Sequence, residues 1–135
     1  MKKLLILLSM VILVGACTNV QPQGPVLVTN VAEVSEKEYE LENLFTGEGL
    51  TLGFDKEGRI FGYSGLNRYF GKVEIDGGNI KVLALASTKM GGTREALVRE
   101  DQYLSLLHSV TKIQEEKGKL ILSNDRLEQL IFKVR

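Results

Sequence analysis

Few side chains in this sequence are set to do chemistry. Cys17 is the only cysteine. It directly follows Val14-Gly15-Ala16, so its thiol, a nucleophile once ionised, stands at the end of an apolar run. Glu100 falls between Leu97, Leu104 and Leu107 at helical spacing. A carboxylate on an apolar side is costly unless it accepts hydrogen bonds or meets a cation. It is therefore either a tie that fastens its helix to neighbouring backbone or a catalytic acid. No second catalytic group can be set beside it from the sequence, which favours the tie. His108 has no histidine or cysteine partner for a metal site; near a helix end its charge would complement the dipole. The serines lie in no nucleophile setting, since Tyr63-Ser64-Gly65 is not a G-x-S-x-G elbow. There is no phosphate-cradling glycine loop.

The segment around Cys17 is an export signal. Lys2 and Lys3 form a positive start, and Leu4 to Ala16 is apolar apart from Ser9 and Gly15. That run is shorter than the ~20 residues of a membrane-spanning helix and has the order of a secretory signal. Its Val-Gly-Ala-Cys ending resembles the lipobox of bacterial lipoproteins. The resemblance implies cleavage before Cys17, diacylglyceryl transfer to the thiol and acylation of the new amino terminus. Two or three acyl chains make a stable anchor where one is marginal. An ordinary cleaved signal would instead leave an exposed thiol, a liability in an oxidising compartment. Thr18, rather than aspartate, follows the cysteine, so in a cell with two membranes the periplasmic face of the outer one is favoured.

Residues 1–16 are thus read as signal peptide, 17–36 as lipidated tether, and 37–135 as the domain. Gln21-Pro22-Gln23-Gly24-Pro25 is turn-rich, although Val26-Leu27-Val28 could pair as an edge strand. Basic and acidic residues number 17 each; taking away Lys2 and Lys3 leaves 15 against 17. A near-neutral chain offers no basic field for nucleic acid.

Within the domain the dominant signal is period two, which marks half-buried strands. Tyr39 and Leu41, then Leu50, Leu52 and Phe54, alternate with polar residues or glycine. Arg59 to Ser64 returns after Asp55-Lys56-Glu57-Gly58. Tyr69, Gly71, Val73 and Ile75 alternate with Phe70, Lys72, Glu74 and Asp76, and Asp76-Gly77-Gly78-Asn79 is a hairpin signal. Ile80 and Val82 continue beyond it. Three more strands, Thr111 to Glu116, Lys119 to Ser123 and Glu128 to Val134, are joined by Lys117-Gly118 and Asn124-Asp125. The fold expected is mainly β (α+β): a small antiparallel β-barrel or strongly coiled meander of about eight strands with one packed α-helix. Thr93 caps that helix, Arg94 to His108, whose apolar side carries Ala96, Leu97, Tyr103, Leu104 and Leu107.

Two segments carry a family resemblance. Gly62-Tyr63-Ser64-Gly65-Leu66-Asn67-Arg68-Tyr69-Phe70-Gly71 and Ala86-Ser87-Thr88-Lys89-Met90-Gly91-Gly92, followed by Glu100 and Tyr103-Leu104, together resemble the META domain, the family of the heat-shock-linked HslJ proteins. The likeness spans roughly Glu38 to Val134. It implies a small barrel-like fold with a packed helix, commonly on exported lipoproteins, no established enzymatic reaction, and no cofactor. Gly65, Asn67, Thr88, Met90 and Glu100 match signature positions. Leu66 and Gly92 replace residues that are often cysteines in the family; losing both together implies that they pair where present. Here no internal disulfide can form.

The candidate site is therefore a buried polar cluster of Gly65, Asn67, Arg68, Ser87, Thr88, Lys89, Met90 and Glu100, with Arg68 and Lys89 as its nearest cations. Two functions compete, ahead of a third, a hydrolase that would use Glu100. One is a monomeric, non-enzymatic envelope module that binds a protein or envelope polymer during stress. The other is a small-molecule carrier, which needs an interior cavity of several hundred Å³. A ring filled by Phe54, Tyr69, Val73, Ile75 and Phe132 would leave none.

Overall fold

The computed structural model describes residues 24–135; Cys17 and the export signal lie outside them. Nine strands and one helix follow in order: β1 (Val26–Leu27), β2 (Glu38–Leu41), β3 (Thr51–Phe54), β4 (Arg59–Tyr63), β5 (Arg68–Asp76), β6 (Asn79–Ser87), α1 (Arg94–Ser109), β7 (Lys112–Glu116), β8 (Lys119–Ser123) and β9 (Gln129–Val134). All pairings are antiparallel and belong to one sheet. Because β8 pairs with both β9 and β7, the hydrogen bonds run in a ring: β7-β6-β5-β4-β3-β2-β9-β8 and back to β7.

Turn chemistry sets the register. Gly77 and Gly78 both take positive φ, 55° and 85°, as a two-residue hairpin requires, and Asp76 pairs with Asn79 across them. Lys117 and Gly118 do the same at 51° and 77°, placing Glu116 opposite Lys119. Asp55 Oδ1 accepts from the backbone N–H of Glu57 and Arg59 at 3.0 and 2.9 Å, closing the β3–β4 turn.

With register fixed, the inward side chains fill the ring. Tyr39, Leu52, Phe54, Ile60, Tyr69, Ile113, Leu120, Leu122 and Phe132 are all buried, and each such side chain contributes roughly 1.5–3 kcal/mol relative to exposure. The helix adds Tyr103 and Leu107 to the same core. Thr93 caps it as expected, accepting from the Ala96 N–H at 3.2 Å.

Three details depart from the sequence reading. First, the packed body starts ahead of residue 37. β1 pairs with β7 through Val26 and Leu27, and Val28 and Val34 are buried. Backbone bonds from Gly77 N–H to Thr29 O (3.0 Å) and Gly78 N–H to Val28 O (2.9 Å) clip this stretch to the β5–β6 turn. Second, β6 extends to Ser87. Lys72 faces Ala84 but Val73 faces Val82, so Leu83 is an extra, bulged residue that reverses the inward phase. Third, Leu97 is 47% exposed. The buried stripe of α1 is Ala96, Glu100, Tyr103 and Leu107, which leaves Leu97 about a quarter-turn outside it.

Candidate functional site

The β4–β5 hairpin closes on Ser64 to Asn67. The Ser64 N–H donates to Asn67 O at 2.9 Å, and Gly65 takes φ +88°, a conformation any side chain would strain. Ser64 Oγ accepts from the Asn67 N–H at 3.0 Å. Its single hydrogen is shared between Asn67 O (2.9 Å) and Glu100 Oε1 (2.8 Å).

Asn67 is the hub. Its Oδ1 accepts from the Met90 N–H at 2.8 Å and Thr88 Oγ1 at 3.1 Å. Its Nδ2 donates to Glu100 Oε2 at 3.1 Å and Met90 O at 3.4 Å. One amide thus ties the hairpin tip, the 88–90 loop and the helix. Both Glu100 oxygens are used, each by a neutral donor.

A second layer lies below. The Tyr69 hydroxyl donates to Thr51 O at 2.6 Å and meets the Tyr103 hydroxyl at 2.7 Å, with the rings edge-on and 5.6 Å apart. Burial pushes both phenols well above their usual range. Gly62 makes this possible, because a Cβ there would sit on the Thr51 carbonyl and within 2.6 Å of the Tyr69 oxygen.

The expected residues divide. Gly65, Asn67, Thr88, Met90 and Glu100 come together, although Met90 takes part through its backbone while its side chain is 65% exposed. Arg68 and Lys89 do not supply the cation. Arg68 is exposed, opposite Tyr63 on the outward row of the sheet, and Lys89 lies in an exposed loop. Arg99 comes closer, reaching Gly65 O at 3.4 Å and Glu48 at 3.3 Å. Ser87 is half-buried and makes none of the cluster's bonds among the described residues. His108 is exposed and lines an open groove of ≈ 670 Å³ with Lys89, between α1 and β6.

Ser64 is the member that sequence reasoning missed. The signal was the serine three residues before asparagine, a spacing that suits a hydroxyl closing a turn. A serine bonded to a carboxylate is the start of a nucleophile-and-base pair. Ser64 is fully buried, however, so a substrate would have to displace the turn to reach it. What this geometry does is fasten three segments.

The positions of the missing cysteines are adjacent. A Cβ on Gly92 would lie 2.6 Å from a Leu66 methyl group, so leucine fills the space where the family resemblance implies a pair.

No curated protein matches the chain in sequence. Two structures solved by NMR share its fold. One, from Burkholderia xenovorans, aligns with TM-score 0.62 and 19% identity over 78% of this chain and 86% of its own. The other aligns with TM-score 0.63 and 17% identity over 79% and 96%. The sequence profile of the META domain matches residues 32–135, nearly all of the described body and both motif segments, and the chain belongs to the META domain family.

Proposed function

We propose that this protein is a lipoprotein held to a membrane through Cys17, whose META domain serves envelope integrity under stress without catalysing a reaction. It binds a protein or an envelope polymer on its outer surface. The observation that carries this reading is the saturation of the motif residues. Asn67 and Glu100 are fully engaged with one another and with the backbone of the hairpin and loop, which leaves recognition to other surfaces. The carrier reading needs space inside the ring, and Phe54, Tyr69, Leu122 and Phe132 occupy it. The Val-Gly-Ala-Cys segment supports the anchor, and in a cell with two membranes Thr18 supports the outer one.

Crosslinking in native membranes, followed by purification of the adducts, tests the binding. A specific adduct that competes with unlabelled protein is expected; a chain that crosslinks to nothing ends the reading. Fatty-acid labelling tests the anchor separately. Cys17→Ser should abolish the label and release the protein from the membrane, and a variant that labels normally would overturn it.

A further inference from the structure

Over Arg59–Tyr63 of β4 and Arg68–Lys72 of β5 the outward positions alternate cations and rings, and Glu74 and Asp76 continue the β5 row beyond them. Register places Arg59 opposite Lys72, Phe61 opposite Phe70, and Tyr63 opposite Arg68. The Arg59–Lys72 row is unfavourable for a domain with nothing to bind. Like charges directly opposed across strands repel. Arg59 is offset by Asp55 at 2.5 Å and Glu57 at 3.7 Å, but Arg68 and Lys72 make no ion pair among the described residues. Phe61 and Phe70 stay 45% and 55% exposed, side by side on the sheet, and paired exposed aromatics favour association.

The rings lie in a shallow groove of ≈ 420 Å³, whose walls include Arg59, Lys72 and Asp55, the carboxylate being held by Arg59. Phe61 does not project from the sheet. A Cβ on Gly53 would meet three of its ring atoms at 2.5–3.2 Å, so the ring lies across that glycine and turns a flat face to solvent.

We propose that this face binds an acidic glycan, a chain of sugar rings bearing carboxylates; the proposal rests on the surface-binding reading above. The C–H face of a sugar ring packs on the negative face of an aromatic ring. Neighbouring strands carry the Phe61 and Phe70 backbones ~4.8 Å apart, and the lean of the Phe61 ring onto Gly53 of β3 widens the gap between the rings, so a glycan running across the strands meets the two rings with different sugar units. Lys72 and Arg68 then flank the chain and meet its carboxylates. A membrane surface suits the site less well, because a ring lying flat cannot insert between lipids. Single-stranded nucleic acid would also stack, but it calls for a basic field that a chain with equal numbers of basic and acidic residues lacks.

The test is calorimetric titration of the full-length chain, held in nanodiscs of zwitterionic lipid, with oligogalacturonate at low salt. Maltohexaose, oligo-dT and phosphatidylglycerol vesicles are the comparison probes. Oligogalacturonate should bind, and maltohexaose of similar length should bind at least about tenfold more weakly, as should oligogalacturonate to Phe70→Ala or to Lys72→Glu. Both variants should melt with the parent, since neither side chain is buried. The proposal fails if nothing binds, if neutral and acidic sugars bind alike, if Phe70→Ala binds normally, or if oligo-dT or the vesicles are preferred. A failed titration alongside a competed crosslink elsewhere on the surface removes the glycan face and leaves the surface-binding reading standing; failure of both removes both.

Discussion

The cluster around Asn67 and the outer face around Phe70 sit on the same hairpin and treat their side chains in opposite ways. In the cluster, every oxygen of Glu100 and both ends of the Asn67 amide have partners within the protein. On the outer face, rings are left to solvent, and Arg68 and Lys72 have no ion pair among the described residues. The motif that marks the family therefore records how the domain is fastened together. On the reading proposed above, recognition falls to exposed side chains beside the five signature positions.

The largest effects should come from breaking the cluster. Asn67→Ala leaves one buried Glu100 oxygen unpaired and releases the Met90 N–H and the Thr88 hydroxyl, both on exposed residues. At ~1–3 kcal/mol for a buried group left unpaired, plus the loss of the loop ties, a loss of about 2–3 kcal/mol is expected in urea melts. Glu100→Ala should cost about 1–3 kcal/mol, and Glu100→Gln less, because one acceptor and the shape survive. If both Glu100 variants proved as stable as the parent, the carboxylate would not be a fastener, and the contrast with the outer face would collapse.

A smaller effect concerns tyrosines. Tyr39 is buried with a hydroxyl that has no partner among the described residues, whereas Tyr69 and Tyr103 satisfy each other. Tyr39→Phe should be neutral or stabilising by up to ~1 kcal/mol, while Tyr103→Phe should destabilise by about that much. Alkali sharpens this. Burial, with the Glu115 charge nearby, pushes Tyr39 up to about 12, and burial raises Tyr69 and Tyr103 further. Unfolded phenols titrate near 10. Above that pH the unfolded chain has released protons that the folded one retains, so stability is full below about 10 and falls as pH climbs toward the folded values. Urea midpoints measured from pH 9 upward should show this fall, with a shallower slope in Tyr39→Phe; an unchanged slope would mean the ring ionises freely in the folded state.

The smallest expected change is Phe70→Ala, within about ±0.5 kcal/mol, as for exposed substitutions in general. A larger loss would mean that the outer rings help hold the sheet, and their exposure would then need no ligand to explain it.

Much of this architecture is legible in the sequence because alternation and turn dipeptides are local signals. Asp76-Gly77-Gly78-Asn79 and Lys117-Gly118 announce their hairpins without tertiary information. β6 beyond Val82 was hidden because the Leu83 bulge breaks the alternation. β1 was visible only as a possible edge, since two residues hold no period and the burial of Val28 and Val34 depends on distant partners. In the site, the family resemblance located Asn67, Thr88 and Glu100. Charge alone pointed to Arg68 and Lys89, but strand alternation turns Arg68 outward and the exposed loop keeps Lys89 in solvent. Ser64 sits in no nucleophile motif, and its part as a turn hydroxyl depends on the Asn67 backbone that folding brings to it. Alternation puts Phe70 on the polar row, and only the strand register sets it beside Phe61.

The short β1 strand also decides how the domain would respond to force. A load applied to the chain ahead of residue 24 would reach the body through Val26 and Leu27, which join β7 by two register pairs, and through the clip at Val28 and Thr29. A partner gripping the β4–β5 face would load the molecule between that face and this strap. A load along β1 shears its bonds together, whereas a load across the strand peels them one pair at a time. The strap is the shortest strand in the sheet, so it is the joint expected to slip first, paying out chain while the eight-strand ring stays closed.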